Sequence, residues 1–476
     1  MCYHGPRSEG LRKSRTFTEM TSMRVVVIGA GEVGFPVASK LASEGHDVTV
    51  VERDEDLAAK VEDELDVMVV RGNGARPQVL ERAGVAPGSR TDLLIACTDR
   101  DEVNILACWI ARRAGVEKVM GRARSLEFTD TDTWARELEI DVLISPERSA
   151  AREIEELLLV ASAVRTVEIA SGKAALYAFR VAEDAPMQGV TMAELRARYS
   201  GLSAINVYVD REGGGFVPSG DSVLEPGDLC YVVTFRDQVG FLETLFDPRK
   251  RRPLHRVLVV GGGKIGYQVA HRLEHRSRSI DIRLIDRDRE KCDRIARELG
   301  RTVVLAGDGT DRDLLEYEGV REAEGFVTTT SSDESNILIG VLGKSLGAAK
   351  AVAVVRRNAF MQMHAHLDID AMVNPHMAMA SVIMQHVKFP RASGHLSVLE
   401  SIGAEMMEGT IPDQGRAAGC AVRDIGLPRG IILALVERGT EAFVPWGNTV
   451  LQGGDRVILF SSSELMSRAV ELLEVR

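Results

Sequence analysis

The run Arg24-Val-Val-Val-Ile-Gly-Ala-Gly-Glu-Val-Gly34 returns as Arg256-Val-Leu-Val-Val-Gly-Gly-Gly-Lys-Ile-Gly266. In each copy a short branched-aliphatic run meets a G-x-G-x-x-G loop. Such a run suits a central parallel strand buried on both faces. The loop suits the tight turn from that strand into a helix whose free N–H groups and dipole favour an anion. Further landmarks recur in the same order. Val50-Val-Glu-Arg-Asp54 matches Leu284-Ile-Asp-Arg-Asp288, and Gly72-Asn-Gly74 matches Gly307-Asp-Gly309. Thr98-Asp-Arg-Asp-Glu-Val-Asn104 matches Thr330-Ser-Ser-Asp-Glu-Ser-Asn336, at the spacing of 232 residues that separates Gly29 from Gly261. The chain contains itself twice.

Between these landmarks, residues 23–146 and 256–374 alternate apolar runs with helical stretches such as Phe35–Glu44 and Asn104–Ala114, the pattern of βαβ units. Later segments change character. Phe216-Val-Pro-Ser-Gly-Asp-Ser-Val-Leu-Glu-Pro-Gly-Asp228 matches Phe443-Val-Pro-Trp-Gly-Asn-Thr-Val-Leu-Gln-Gly-Gly-Asp455, turn chemistry leading into a strand each time. The expected fold is α/β: two Rossmann-like, doubly wound parallel-sheet domains, each followed by a small α+β regulator module. Residues 1–22 read as a flexible extension. The first Rossmann domain spans 23–146, and its crossover helix and regulator module span 147–246. A linker follows at 247–255. The second Rossmann domain spans 256–374, and the second crossover helix and module span 375–476.

Composition narrows the function. The 476 residues carry 59 Lys+Arg against 70 Asp+Glu, a net charge of −11, without the basic excess of a nucleic-acid binder. The cluster Arg249-Lys250-Arg251-Arg252, between Pro248 and Pro253, reads as a solvated linker. Six scattered cysteines, with no C-x-x-C pair, make neither a disulfide framework nor a zinc site. No apolar stretch reaches the ~18–20 residues needed to span a bilayer, and residues 1–22 lack the apolar core of a secretory signal. A cytoplasmic location is expected.

The glycine loops designate the candidate ligand sites: Gly29, Ala30, Gly31, Glu32, Val33 and Gly34 in the first copy, and Gly261, Gly262, Gly263, Lys264, Ile265 and Gly266 in the second. Glu52 and Asp286 end the second strand of each unit, where a carboxylate accepts from a ribose hydroxyl and disfavours a 2′-phosphate. NAD(H) fits this pattern, and an adenine mononucleotide such as ATP or ADP offers the same ribose and phosphates. Asn73 and Asp308 close the next strand, within reach of the adenosine. Thr98, Asp99 and Thr330 open the loop after the fourth strand, near the pyrophosphate. Arg122 ends the fifth strand as a phosphate partner. Its counterpart 232 residues on is Val354, so the second cleft is expected to lack one cation.

No catalytic machinery accompanies these loops. Ser171–Phe246 contains no histidine, and Ser/His/Asp triads, H-E-x-x-H and G-x-x-x-x-G-K-[ST] are absent. His364, His366, His376 and His386 lack a completing ligand pattern, so no metal site is expected. Val382-Ile-Met-Gln-His-Val387 has the helical spacing of a packing or subunit face. The rival readings are an NAD-dependent oxidoreductase with a substrate site between subunits, and a scaffold with vestigial nucleotide sites.

The motifs Gly29–Gly34, Glu52, Gly72–Gly74, Thr98–Asn104, Arg122 and Asp141-Val-Leu-Ile-Ser-Pro146, with their second-half partners, resemble a known family from Met23 onward. It is the family of peripheral nucleotide-binding regulatory subunits of Trk potassium-uptake systems, tandems of two RCK (also called KTN) units. The resemblance implies NAD(H) and adenine nucleotides in the Rossmann clefts. It also implies a cytoplasmic homo-oligomer, commonly a tetrameric ring, at the inner face of the membrane. There the ring would gate a potassium-translocating subunit by changing shape. Glu52 stands where many members carry Asp.

Overall fold

The computed structural model describes residues 22–125, 128, 133–160, 162–169, 173–212, 214–248, 254–361, 363, 366–388 and 404–475. Residues 1–21, most of the basic linker and His364 lie outside them. In the first lobe six parallel strands lie in the spatial order Met68–Arg71, Asp47–Glu52, Arg24–Ile28, Leu93–Ala96, Lys118–Arg122, Val142–Ile144. The second lobe repeats it: Val303–Ala306, Asp281–Asp286, Arg256–Val260, Gly325–Thr328, Ala351–Val354, Ala371–Val373. Strand order reverses beside the first strand of each sheet, which opens the crevice where doubly wound sheets bind ligands. Val25–Ile28 and Val257–Val260 are buried throughout, as their unbroken aliphatic runs require. Local signals set the helices. Asp54 accepts from the Asp56 and Leu57 amides and starts the helix Glu55–Glu64, and Gly115, at φ 95°, ends Asp101–Ala114.

The crossover helices are exchanged between lobes. The first, Pro146–Leu159, follows the first sheet, yet Ala150, Ala151, Ile154, Leu157 and Leu158 share a core with Val257, Val259, Val269 and Leu273 of the second lobe. The second, Pro375–Lys388, places Met379, Ala380, Ile383 and Met384 in the first lobe's core, against Val25, Val27, Val37 and Leu41. Of the apolar face expected at Val382–Val387, Val382, Ile383 and Met384 pack within the chain, and the side chains of residues 385–387 lie outside the described residues. The exchange is fastened by Lys350 of the second lobe, a buried ammonium that donates to the carbonyls of Leu157, Val160 and Ala163 at 2.5, 2.8 and 2.7 Å. A cation there satisfies carbonyls at and just past the C-terminal end of the first crossover helix. Lys350→Met takes this donor from all three, leaving the Val160 carbonyl with the Ala163 amide at 3.2 Å, at a cost of about 2–4 kcal/mol. Chemical denaturation should show that loss, and wild-type stability would refute the fastening role.

Glu156 lies on the same helix, buried and paired with Arg236 of the first regulator module at 3.1 Å. Burial pushes its carboxyl up to about 7, and Arg236 only partly opposes the rise. The folded value exceeds the unfolded one, so this group favours the native state fully at low pH. That contribution is lost as pH rises toward and through 7. Glu156→Gln should flatten stability between pH 5 and 8, and an unchanged pH profile by thermal melting would refute it.

The regulator modules are antiparallel sheets. Their strand orders are Gly214–Phe216, Ala204–Arg211, Leu229–Phe235, Ala174–Arg180, Ala163–Ile169 and Ala404–Thr410, Arg456–Ser462, Ile431–Arg438, Glu441–Phe443. The repeated Gly-Asp motif buries a forked ion pair in each. Arg211 meets both Asp228 oxygens at 2.7 Å, and Arg438 meets those of Asp455 at 2.8 and 2.7 Å. Gly227 and Gly454, at φ 90° and 82°, make the turns into the following strands. Leu176, Tyr231 and Val233 of one module share a core with Met406, Leu435 and Phe460 of the other, so the sheets pack face to face.

Candidate functional site

The glycines divide into those the fold needs and those it leaves open. A Cβ on Gly34 would stand 1.8 Å from the Gly29 carbonyl oxygen, and one on Gly266 1.9 Å from that of Gly261. These positions hold helix against strand. Gly29 and Gly261 turn at φ 94° and 110°. Gly31 is different: a Cβ there meets nothing within 4 Å, and one on Gly263 meets only the Thr329 carbonyl oxygen at 3.9 Å. At these two positions the loop backbone thus faces open space. The helices Gly34–Ser43 and Lys264–Arg276 begin without a side-chain cap, although in the first the Phe35 amide donates to the Gly31 carbonyl at 3.1 Å and Pro36 carries no N–H. Ala30, Val33 and Ile265 are buried in the lobe cores, while Glu32 is exposed.

The acidic residues at the ends of the second strands anchor the loops. Glu52 is buried, with Oε2 accepting from the Ala30 amide at 2.6 Å and Oε1 from Arg53 and Asp54 at 2.7 and 2.9 Å. Asp286 accepts from the Gly262 amide at 2.7 Å and from Lys291 Nζ at 2.9 Å. Burial raises the Asp286 pKa, but the bonds from Asp288, Lys291 and Gly262 outweigh it and hold the group below the usual carboxylate range. Lys291 has no counterpart in the first lobe, where Leu57 stands five residues after Glu52. Asn73 Oδ1 caps the Ala75 amide. Asp308, bonded by Thr310 and by Arg287 at 2.8 Å, is held down to about 2.

Asn104 and Asn336, the last residues of a repeated landmark, were not singled out by sequence. Asn104 Oδ1 accepts from the amide and hydroxyl of Thr98 at 2.9 and 2.7 Å, and its Nδ2 donates to the Thr98 and Arg122 carbonyls. Asn336 does the same for Thr330 and Val354. Both asparagines are fully buried and tie the fourth-strand loop to the fifth strand. The amides and hydroxyls of Thr98 and Thr330 are thereby engaged inside the protein. Asp99 is exposed on the loop.

The helix exchange brings the two clefts together. A cavity of about 600 Å³ occupies the second cleft, walled by Gly263, Lys264, Asp286, Thr330 and Arg356 of its own lobe and by Arg122, Arg124 and Glu147 of the first. Val354 does replace an arginine in the second lobe, but the cleft is not short of a cation, because Arg122 crosses over to supply it. This revises the expectation of a deficient second site. Only 8% of Arg122 is exposed, its Nε is buried without a hydrogen-bond partner, and burial lowers its pKa. A desolvated, incompletely bonded guanidinium on a cavity wall suits an anionic oxygen. Arg124 pairs with Glu147 at 3.0 Å, and Lys264 donates to the Arg124 carbonyl. His376, second residue of its crossover helix as Glu147 is of the other, also lines the cavity. Its Nδ1 is buried and unbonded, and burial first, then Arg122, keeps it below the usual histidine range.

Among the described residues, no three His, Cys, Asp or Glu side chains could hold a metal ion, and no helix is long and apolar enough to cross a membrane.

Paired Rossmann lobes that share one wall, each continued by a small antiparallel module, define a tandem RCK-type protein. The TrkA-N domain model matches residues 25–146 and 257–375, and the TrkA-C domain model matches 176–247 and 406–474. The chain belongs to the TrkA family. Trk system potassium uptake protein TrkA of Azorhizobium caulinodans is 34% identical over 95% of this chain and 99% of its own length. The protein of the same name from Halomonas elongata is 31% identical over 95% and 98%. A crystal structure of the GsuK RCK domain superposes at a TM-score of 0.59 with 19% identity, covering 96% of each chain. A GsuK channel bound to NAD reaches 0.60 with 20% identity, covering 98% of this chain and 81% of its own. These two likenesses establish the fold. Neither relative is named for a catalysed reaction.

Proposed function

We propose that this chain is the peripheral regulatory subunit of a Trk-type potassium-uptake system, binding NAD(H) and adenine nucleotides in its two clefts and gating a membrane potassium-translocating subunit. The reading rests above all on Arg122, a buried guanidinium left incompletely bonded in the wall of a cavity that both lobes build. Gly31 and Gly263 leave room for a pyrophosphate, Glu52 and Asp286 end the second strands and anchor the loops beside it, and Arg122, Arg124, Lys264 and Arg356 supply positive charge. A bound nucleotide contributes negative charge and a rigid bridge. The protein's residues do the rest: Arg122 and Arg356 come from opposite lobes, so phosphates held by both favour one lobe spacing over another. Only such differential affinity shifts a conformational equilibrium. In this reading the protein works at the cytoplasmic face as a homo-oligomeric ring, each chain giving two RCK units. Reconstitution with the membrane subunit tests it: potassium flux should change with ATP, ADP or NADH, and flux indifferent to all three would overturn it.

A further inference from the structure

The two clefts differ in charge at the acidic corner that anchors each glycine loop. The strands Asp47–Glu52 and Asp281–Asp286 both end in a carboxylate, and helices capped by Asp54 and Asp288 begin three residues later. The third helical residue is Leu57 in the first lobe and Lys291 in the second. Leu57 keeps 37% of its surface exposed. Lys291 reaches back to Asp286, its Nζ 2.9 Å from Oδ2, and keeps 31% of its side chain exposed. Asp286 and Lys291 both line the cavity of the second cleft.

Helix stability does not account for this lysine. The first turn carries the positive end of the helix dipole and disfavours a cation, and a half-exposed Lys–Asp pair adds little. What the lysine changes is the corner itself. In the first lobe Glu52 accepts from three backbone amides, those of Ala30, Arg53 and Asp54, with hydrocarbon at position 57. In the second, an ammonium on a long flexible stem sits against the carboxylate and can reach another anion beside it. Arg287 adds a guanidinium to the same wall, but the first lobe matches it with Arg53, so it does not distinguish the clefts. Asp308, where the first lobe has Asn73, is engaged by Arg287 and Thr310.

We infer that the second cleft accepts a dinucleotide phosphorylated on its adenosine ribose, the NADP(H) class, through Lys291, while the first favours the unphosphorylated form. The inference rests on the nucleotide reading above and deepens it. In a doubly wound dinucleotide site the acidic residue after the second strand faces the ribose 2′-hydroxyl, and a nearby cation is what accommodates a 2′-phosphate. A carboxylate alone turns that phosphate away, as Glu52 does. Beside Asp286 the ammonium stands between the two anions. One chain then reads the phosphorylated and unphosphorylated dinucleotides in separate clefts.

Calorimetry on the full chain tests it, with Gly31→Asp silencing the first cleft. NADPH should bind the second cleft no more than threefold weaker than NADH. Adding Lys291→Leu, the first lobe's own residue, should weaken NADPH at least tenfold, and NADH and ATP less than threefold. ATP is a comparably charged anion without the ribose phosphate, so a loss shared by all three would make Lys291 a general source of charge and overturn the assignment. NADPH more than threefold weaker than NADH before the lysine is changed would overturn it too. In the reciprocal variant, Leu57→Lys with Gly263→Asp, NADPH should bind the first cleft at least threefold tighter than with Gly263→Asp alone, and no gain would remove the lysine as the determinant. NADH binding without NADPH sinks this inference alone, whereas binding of no nucleotide sinks the nucleotide reading with it.

Discussion

Gly31→Asp should fold normally and lose nucleotide binding in the first cleft. A Cβ at Gly31 meets nothing within 4 Å, so the ligand-free protein accommodates the new side chain. A bound pyrophosphate would not. A carboxylate about 4 Å from a phosphate in a partly desolvated cleft costs on the order of 4 kcal/mol, roughly a thousandfold in affinity. Gly263→Asp is the matching change in the second cleft, where the nearest atom to a Cβ is the Thr329 carbonyl oxygen at 3.9 Å. Calorimetry with ATP and NADH should show each variant missing one class of sites and keeping the other. Gly34→Ala is the contrast, since its Cβ would sit 1.8 Å from a carbonyl oxygen and prevent folding. Nucleotide-dependent potassium flux should fall with Gly31→Asp. Unchanged flux with binding abolished would disconnect the clefts from gating.

Arg122→Ala should move two measurements in opposite directions. Without ligand, the variant no longer buries a guanidinium with an unbonded Nε, so its melting temperature should equal or exceed that of wild type. With nucleotide, a charge-assisted contact to phosphate is gone. Affinity at the second cleft should drop about 10- to 100-fold and the ligand-induced thermal shift should shrink. His376 supplies an independent readout. Arg122 is among the groups that depress its pKa, so the variant's His376 should titrate at higher pH by NMR. A variant that binds ATP as tightly as wild type at both clefts would remove Arg122 from the site.

The sheets were legible because their signals are local. The aliphatic runs, glycine loops and landmarks paired in the same order define each lobe without reference to the other. The exchange was not legible, and the reason is physical. Ala150, Ile154, Leu157 and Leu158 make an apolar face on the helix Pro146–Leu159, and such a face states that it will be covered but not by which lobe. Arg122 was readable as a strand-end cation, while the cleft it serves depends on that pairing. Asn104 and Asn336 left a usable signal, an identical residue closing both copies of one landmark. Asn104, read as the start of a helical stretch, and Asn336 proved to be buried helix residues that organise the loop before them. Glu147 and His376 gained their place in the cavity from the same exchange, which no spacing along the chain encodes.

That arrangement has a consequence for how the molecule is born. The N-terminal sheet finishes its interior with Met379 and Ile383, residues made long after its own strands have left the ribosome. Until then the nascent lobe carries a bare greasy groove, and contacts of such wide sequence separation form slowly. Newly made chains must keep that groove shielded until synthesis is nearly over, and a fragment halted at mid-chain would present to the cell an unfinished half.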